Sequence, residues 1–313
     1  MTADPHGWAR PCSLVLVLVS VLVGAACSTA TIPPALGTHI TTGQGGPLSR
    51  EQALAALRRA DHVLLGEVHD NPIHHRERAA LLAALADQRP TVVFEQFARS
   101  ADAALATPVG GDLEAWVARA GFDRQGWAWP LHRPLVEAAL AGKLRLRGGN
   151  LQRDEARQIA RQGAAAAPPD LAAALAQPLP AAAAEALDRG LLDGHCGQLP
   201  AAALPRMRDA QAARDAAMAD ALLRAAADSA TPTVLIAGNG HVRRDHGVPL
   251  WLARREPAAK VVSVGFLEAG ADGGVPTSAE RTVYDIVWVT PRQPRPDPCA
   301  GFSLTPKAAP TNQ

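Results

Sequence analysis

Two short segments, far apart in the chain, combine an apolar run with the pattern Gly-x-x-His. The first runs from Leu64 to His69 (LLGEVH), and the second runs from Leu235 to His241 (LIAGNGH). In each, a strand-like run delivers a glycine, where the backbone can turn tightly, and then a histidine. Ligands of open α/β sheets bind beyond the carboxyl ends of the strands. We therefore predict one composite site with both histidines and at least one carboxylate.

Carboxylates follow the same kind of predicted strand end. Glu67 lies inside the first segment, and Glu95 follows the apolar run Val92–Phe94. An unpaired carboxylate at the edge of a buried run is costly, so Glu95 requires a partner, a metal ion or a proton. Histidines and carboxylates around an open position suit a Lewis-acid metal that activates water. The candidate metal ligands, which would also be the catalytic residues of a hydrolase, are Glu67, His69, Glu95 and His241.

Three further histidines are candidate ligands. His74 and His75 occupy the first turn of a predicted helix, whose N-terminus favours a neutral imidazole that can act as a ligand. Solvated helix residues are an equal alternative for both. His132 lies beside two tryptophans and is either a ligand or a stacking partner. His195 and His246 carry weaker signals.

Charge and motifs exclude several function classes. The formal net charge is +1, which gives no electrostatic case for a nucleic-acid partner. The chain has no glycine-rich dinucleotide fingerprint, phosphate loop, Gly-x-Ser-x-Gly elbow or His-Glu-x-x-His motif. It also has no Cys-x-x-Cys-His motif, which excludes covalent attachment of a c-type haem.

The N-terminus has the pattern of an export signal. Residues 1–26 contain the apolar run Ser13–Val23, which is too short to span a membrane but typical of a signal peptide. Small residues then precede Cys27, as in a bacterial lipoprotein, and a serine follows it. We expect lipidation at Cys27, attachment to the outer membrane through that lipid only, and exposure to the periplasm. Ordinary cleavage is the alternative. Residues 27–47 are predicted to be a flexible tether.

Two cysteines remain in the predicted mature chain besides the lipidated one. Cys12 would be removed with the signal, which leaves Cys196 and Cys299. Exported proteins occupy an oxidising compartment, so we predict a disulfide between them. The alternative is a pair of free thiols.

Strand-like and helical patterns alternate along most of the chain. A capping box at Ser49–Gln52 and the pair Asn71–Pro72 mark two helix starts. We expect the strands on either side of the second helix to pair in parallel, as in a βαβ unit. The predicted strands lie at residues 62–66, 91–95, 143–147, 233–237, 260–265 and 283–289.

The pattern predicts an α/β fold in which helices flank a mostly parallel central sheet. Residues 151–228 are rich in alanine and interrupted by prolines, which predicts several short helices in an inserted small helical subdomain. The α/β domain would comprise residues 48–150 and 229–301, and residues 302–313 would form a disordered tail.

Six blocks of sequence carry a resemblance to a known family; they lie at residues 65–75, 93–97, 195–197, 210–219, 237–249 and 297–299. In this order they resemble the ChaN family of iron-regulated haem-binding lipoproteins, in the Tiki/TraB/erythromycin-esterase-like superfamily. The resemblance implies a parallel α/β domain with a small helical domain, non-covalent binding of haem and a role in iron uptake. It also makes a homodimer with haem between its subunits a further expectation.

The ligand of such a haem is left open by the sequence. Tyr284 is the only tyrosine and lies in a predicted strand, so a histidine is the expected axial ligand. Arg243 or Arg244 would suit the propionates. Trp127 and Trp129 would suit the porphyrin face. The candidate axial ligands are His69, His74, His75, His132 and His241.

Related classes support a different mechanism. Tiki-type proteins look like metal-dependent proteases built on paired Gly-x-x-His motifs, which the two segments of this chain match. The end of the first predicted strand is similar to that of erythromycin-esterase-like enzymes, in which a histidine acts as general base. A metal-dependent hydrolase that uses the glutamates and histidines at the strand ends is therefore the second hypothesis, with a divalent metal as its cofactor. Whether the protein is an enzyme stays open.

Overall fold

The computed structural model describes residues 38–229, 232–270 and 273–302. The predicted signal peptide, the lipidated Cys27 and the tail from residue 303 onwards lie outside these ranges. Within them, no helix combines the length and the apolar character that crossing a bilayer requires.

A seven-stranded sheet forms the centre of the described residues. The strand order is β1-β7-β6-β2-β5-β3-β4; β1 is antiparallel to β7, and every other neighbouring pair is parallel. The predicted mostly parallel α/β sheet is therefore confirmed. The strands are β1 (His39–Thr42), β2 (His62–Leu65), β3 (Thr91–Ala98), β4 (Arg145–Asn150), β5 (Thr233–Ile236), β6 (Val261–Glu268) and β7 (Ile286–Thr290).

Helices cover both faces of the sheet, as a parallel sheet requires. The prediction that Ser49–Gln52 forms a capping box is confirmed, and Asn71 caps the helix that begins at Pro72. The helices are α1 (Arg50–Leu57), α2 (Pro72–Leu85), α3 (Asp102–Leu105), α4 (Leu113–Arg119), α5 (Arg133–Ala141), α6 (Arg153–Gln162), α7 (Pro169–Leu175), α8 (Ala181–Gly194), α9 (Leu204–Ser229), α10 (Val248–Arg255) and α11 (Ser278–Arg281).

Alternation along the buried strands divides the core between the two faces. Leu65 and Phe94 belong to one apolar cluster, together with side chains of α1, α2 and α5. Leu64, Val93 and Leu235 belong to a second cluster, which includes side chains of α9 and α10. Successive strand residues point to opposite faces, so each strand contributes to both clusters and fixes the helices around it.

Three local predictions are wrong. The tether prediction fails at residues 39–42, which pair with β7 at the edge of the sheet. The strands on either side of α2 do not pair, because β5 lies between β2 and β3. Residues 151–228 do form helices, but α9 is one helix of 26 residues rather than a series of short ones. Its Pro205 stands in the first turn, where proline is tolerated.

The end of the described chain is attached at two places. Arg295 forms ion pairs with Asp70 and Glu268. Further along, Cys299 forms a disulfide with Cys196, and the two Cα atoms lie 5.5 Å apart. The disulfide joins the segment after β7 to the turn that follows α8.

Replacing both bonded cysteines by serine should reduce the free energy of unfolding. The disulfide closes a loop with a sequence separation of 103 residues, and its loss should cost about 2–5 kcal/mol because the unfolded chain gains entropy. Urea denaturation of the C196S/C299S variant checks this. Wild-type protein measured in a reducing agent is the control and should match the variant; equal midpoints for variant and oxidised wild type would contradict the prediction.

Candidate functional site at the carboxyl edge of the sheet

A cavity of about 1160 Å³ lies where β2, β3, β4 and β5 end. We call it the strand-end cleft. The strand ends contribute Glu67, Glu95 and Asn150, and helices α6, α8 and α9 contribute the opposing side chains. The cleft therefore lies where an open α/β sheet binds its ligands. Both Gly-x-x-His segments reach it, since His69 and His241 line it.

Buried Glu67 is the centre of one charged group beneath the cleft. Its Oε1 atom accepts a hydrogen bond of 2.6 Å from His69 Nδ1 and lies 3.2 Å from His132 Nε2. The guanidinium of Arg78, which is fully buried on α2, forms an ion pair with the same carboxylate. Burial lowers the pKa of Arg78 to about 9. Arg78 supplies the opposite charge that a buried carboxylate requires.

Buried Glu95 is the centre of a second charged group. Its Oε1 atom accepts from Arg214 at 2.7 Å and lies 3.2 Å from His241 Nε2, and its Oε2 atom accepts from the backbone N–H of Gly238 at 2.8 Å. His241 Nδ1 lies 2.6 Å from Asp215 Oδ1, so the imidazole donates to two carboxylates. The partner expected for Glu95 is therefore present in the protein itself.

Protonation of this second group follows from its contacts. Burial alone would lower the pKa of His241, but the adjacent Glu95 and Asp215 carboxylates raise it to about 9. Burial would raise the pKa of Glu95, yet His241 and Arg214 lower it well below its usual value. At neutral pH the site contains a glutamate anion beside an imidazolium.

The two Gly-x-x-His segments meet because their glycines lack side chains. A Cβ atom on Gly238 would lie 2.9 Å from His69 Cε1, and one on Gly66 would lie 2.2 Å from Asn239 Oδ1. Any larger residue would push the segments apart. The glycines therefore allow the close contact between β2 and β5 that the paired motif requires.

The structure brings the predicted metal set Glu67, His69, Glu95 and His241 to one cleft, but protein groups satisfy it. Both ring nitrogens of His241 already face carboxylates of the protein, with Nε2 3.2 Å from Glu95 Oε1 and Nδ1 2.6 Å from Asp215 Oδ1. Among the described residues, one group of three has ligand atoms within 4.8 Å of one another, and all are buried: Glu67, His75 and His132. The Arg78 cation already contacts that glutamate.

The structure places three of the five candidate histidines outside the lining of the cleft. His74 is buried and bonds to Val68 N and Thr290 Oγ1, and His75 is buried and bonds to the His69 carbonyl. The alternative of solvated helix residues is therefore wrong for both. His132 is buried against the Trp127 ring. Burial lowers the pKa of His74, His75 and His132 to about 3, and these three do not line the cleft.

The arginines and one of the two tryptophans that the sequence analysis assigned to haem lie away from the lining of the cleft. Arg243 pairs with Asp245 at 2.6 Å and Arg244 pairs with Asp285 at 3.0 Å, both away from the lining of the cleft. Trp129 donates to Glu114 instead of facing the cleft. The predicted Trp127 does line the cleft. Four further side chains of the lining had little or no weight in the sequence analysis: Arg153, Arg157, Arg214 and His195.

One charged residue of the site gave no sequence signal. Arg78 is an interior helix residue in an alanine-rich segment, and only its burial shows that it compensates a charge at the strand ends. Asp215 and His195 did have a signal, since each lies in one of the blocks through which the sequence resembles a known family.

A comparison with protein-family models decides to which family the chain belongs. The model described as haem-binding uptake, Tiki superfamily, ChaN matches residues 53–252. The chain belongs to the ChaN family. The resemblance inferred from the sequence blocks is thereby confirmed. No curated protein matches the chain.

The chain is similar to several solved structures, and one of them agrees with the ChaN assignment at the level of fold. The ChaN protein of Campylobacter jejuni, in a structure of cofacial haem binding, is 21% identical with a TM-score of 0.64, over 80% of this chain and 96% of that one. An erythromycin esterase, EreC, in its open conformation is 17% identical over 75% and 78% of the chains, with a TM-score of 0.41. The type III effector HopBA1 is 15% identical over 78% and 93%, with a TM-score of 0.43.

The buried imidazolium predicts a pH dependence of stability. The folded-state pKa of His241, about 9, lies above its ordinary value of 6.5. Its contribution is therefore fully present below pH 6.5 and is lost as the pH rises through 9, with a slope of at most about 1.4 kcal/mol per pH unit. Urea unfolding from pH 6 to pH 9.5 measures it. The His241→Gln variant should lack this slope; parallel curves for both proteins would contradict the assignment.

Proposed function

We propose that this ChaN-family protein binds haem non-covalently in the strand-end cleft and serves haem or iron uptake. The observation that supports this best is the cleft itself, whose apolar helical wall meets an exposed cationic rim. Its volume of about 1160 Å³ exceeds the usual range for small-ligand sites. The absence of a Cys-x-x-Cys-His motif leaves non-covalent contacts as the means of binding.

The apolar wall suits the face of a porphyrin. Its residues come from α6, α8, α9 and the chain just after β4, and most are alanine or leucine, which have no polar side-chain group. Trp127 stands at the same cleft and adds an aromatic edge beside His69, with ring centroids 4.9 Å apart. The wall comprises Leu151, Ala156, Ala160, Leu191, Met207 and Ala210.

Two arginines on α6 suit the propionates. Arg153 and Arg157 have side chains that are 70% and 56% exposed, and each has an ion pair of 3.4 Å, to Asp123 and Asp154 respectively. Such long, exposed pairs contribute little, so either guanidinium can turn to a propionate at small cost. Arg214 is less suited because it neutralises Glu95. We assign the propionates to α6 rather than to Arg243 and Arg244.

The cellular setting belongs to the same proposal. The signal-like run before Cys27 supports export, lipidation and attachment to the outer membrane on the periplasmic side. Haem bound between two copies of the chain, as a homodimer, is part of the proposal too. Acyl-group detection on the wild-type and Cys27→Ala proteins tests the anchor.

Haem titration tests the binding proposal. Haemin added to the purified protein should shift the Soret band and saturate at a defined ratio. The R153Q/R157Q variant should bind roughly tenfold or more weakly, because it loses charge-assisted hydrogen bonds to the propionates. Arg244→Gln is the matched control, since it removes an exposed arginine away from the cleft, and should leave affinity unchanged. A non-saturating shift in wild type would contradict the proposal.

One observation favours a second function, hydrolysis. The His69 side chain is 51% exposed while its Nδ1 is held at 2.6 Å by fully buried Glu67. A histidine oriented by a carboxylate is the arrangement of a general base that takes a proton from water. Because Glu95 and Asp215 engage both nitrogens of His241, the arrangement supports water activation by His69 better than a metal held by both histidines.

Removing the imidazole separates this function from haem binding. If the protein hydrolyses any member of a panel of p-nitrophenyl esters and peptide amides, His69→Ala should lower kcat by about 100-fold or more. The Soret titration on the same variant should keep its endpoint. Activity that survives in His69→Ala, or no activity in wild type, would remove the hydrolase from consideration.

A further inference from the structure

The strand-end cleft contains few side chains that can ligate haem iron. Among the described residues that line it, the nitrogen and sulfur donors are His69, His195, Met207 and His241. Tyr284 lies outside the lining, its hydroxyl donates to Asn239 O at 3.3 Å, and burial raises its pKa. The two cysteines near the cleft are joined in a disulfide.

Two of the three histidines are unsuited to the iron. His241 uses both ring nitrogens as donors to Glu95 and Asp215. His69 uses Nδ1 for Glu67, and its opposite edge lies against Gly238, where a Cβ atom would be 3.0 Å from Nε2. The backbone at Gly238 therefore stands beside the only nitrogen that His69 could offer to the iron.

His195 has the arrangement expected of a neutral ligand. Its Nδ1 lies 2.7 Å from the carbonyl oxygen of Leu191, which can only accept, so in the neutral ring the proton is on Nδ1 and the lone pair is on Nε2. A second-nitrogen hydrogen bond of this kind fixes the tautomer of metal-bound histidines and raises their basicity. No hydrogen bond between the described residues engages Nε2.

The surroundings of His195 hold the ring in place. It directly follows α8 and precedes Cys196, whose disulfide to Cys299 fixes the turn. The ring of Phe302 meets the imidazole edge-on, with centroids 6.5 Å apart, and Gln198 donates to the Phe302 carbonyl at 2.9 Å. The imidazole is thus half-buried and positioned while Nε2 stays available.

We propose that His195, through Nε2, is the axial ligand of the haem iron; this inference rests on the proposed haem-binding function. Met207 is a thioether on the same cleft. Methionine commonly ligates haem iron together with a histidine, so Met207 does not replace His195 as the first ligand.

Resonance Raman spectroscopy of the ferrous haem complex tests the proposal, with Soret titrations on the same samples. The iron–imidazole stretching band should be present in wild type and absent in both His195→Ala and His195→Gln. The second variant retains a side-chain donor for the Leu191 carbonyl. Both variants should still bind haemin, at least about tenfold more weakly, and free imidazole should restore the band in His195→Ala. His39→Ala is the matched control, since that exposed histidine lies on β1, outside the lining of the cleft.

The outcomes separate this inference from the function on which it rests. Saturable haemin binding with the band unchanged in both His195 variants would overturn the ligand assignment and leave haem binding intact. Saturable binding without any iron–imidazole band in wild type would do the same. No saturable binding in wild type would overturn both.

Discussion

Burial of two carboxylates at the end of a parallel sheet is the constraint on which the site depends. Glu67 and Glu95 follow apolar strands and are almost inaccessible to solvent. A buried anion without a counter-charge would cost several kcal/mol, so each needs a cation beside it. Arg78 from α2 and Arg214 from α9 supply these charges. The positions of both helices are therefore linked to the two glutamates.

This arrangement divides the cleft into two parts with different roles. On the strand-end side, ion pairs and hydrogen bonds engage Glu67, Glu95 and His241, which leaves His69 as the accessible imidazole of that side. The helical side has apolar residues, exposed arginines and His195. Within the part of the chain that the structure describes, Arg153 and Arg157 each have one long ion pair, and the His195 imidazole has one hydrogen bond, to the Leu191 carbonyl. We accordingly propose that the ligand binds against α6, α8 and α9, above the polar base that the strand ends provide.

The sequence predicted those features that depend on short-range patterns. Helix caps at Ser49 and Asn71, the buried strands and the meeting of the two Gly-x-x-His segments follow from local composition and from the geometry of parallel sheets. The insertion of β5 between β2 and β3 did not follow, because pairing of distant strands leaves no local pattern. The partner of Glu67 was missed for the same reason, since Arg78 is identified by its burial and not by its spacing. The proposed role of His195 rests on one backbone hydrogen bond, from its Nδ1 to the Leu191 carbonyl, which leaves no local pattern in the sequence.

The most direct test is a crystal structure of the haem-loaded protein with data collected at the iron absorption edge. The anomalous peak should lie inside the strand-end cleft, on the side formed by α6, α8 and α9, with continuous density for the porphyrin. An iron peak at another surface, with the cleft free of porphyrin density, would contradict the account.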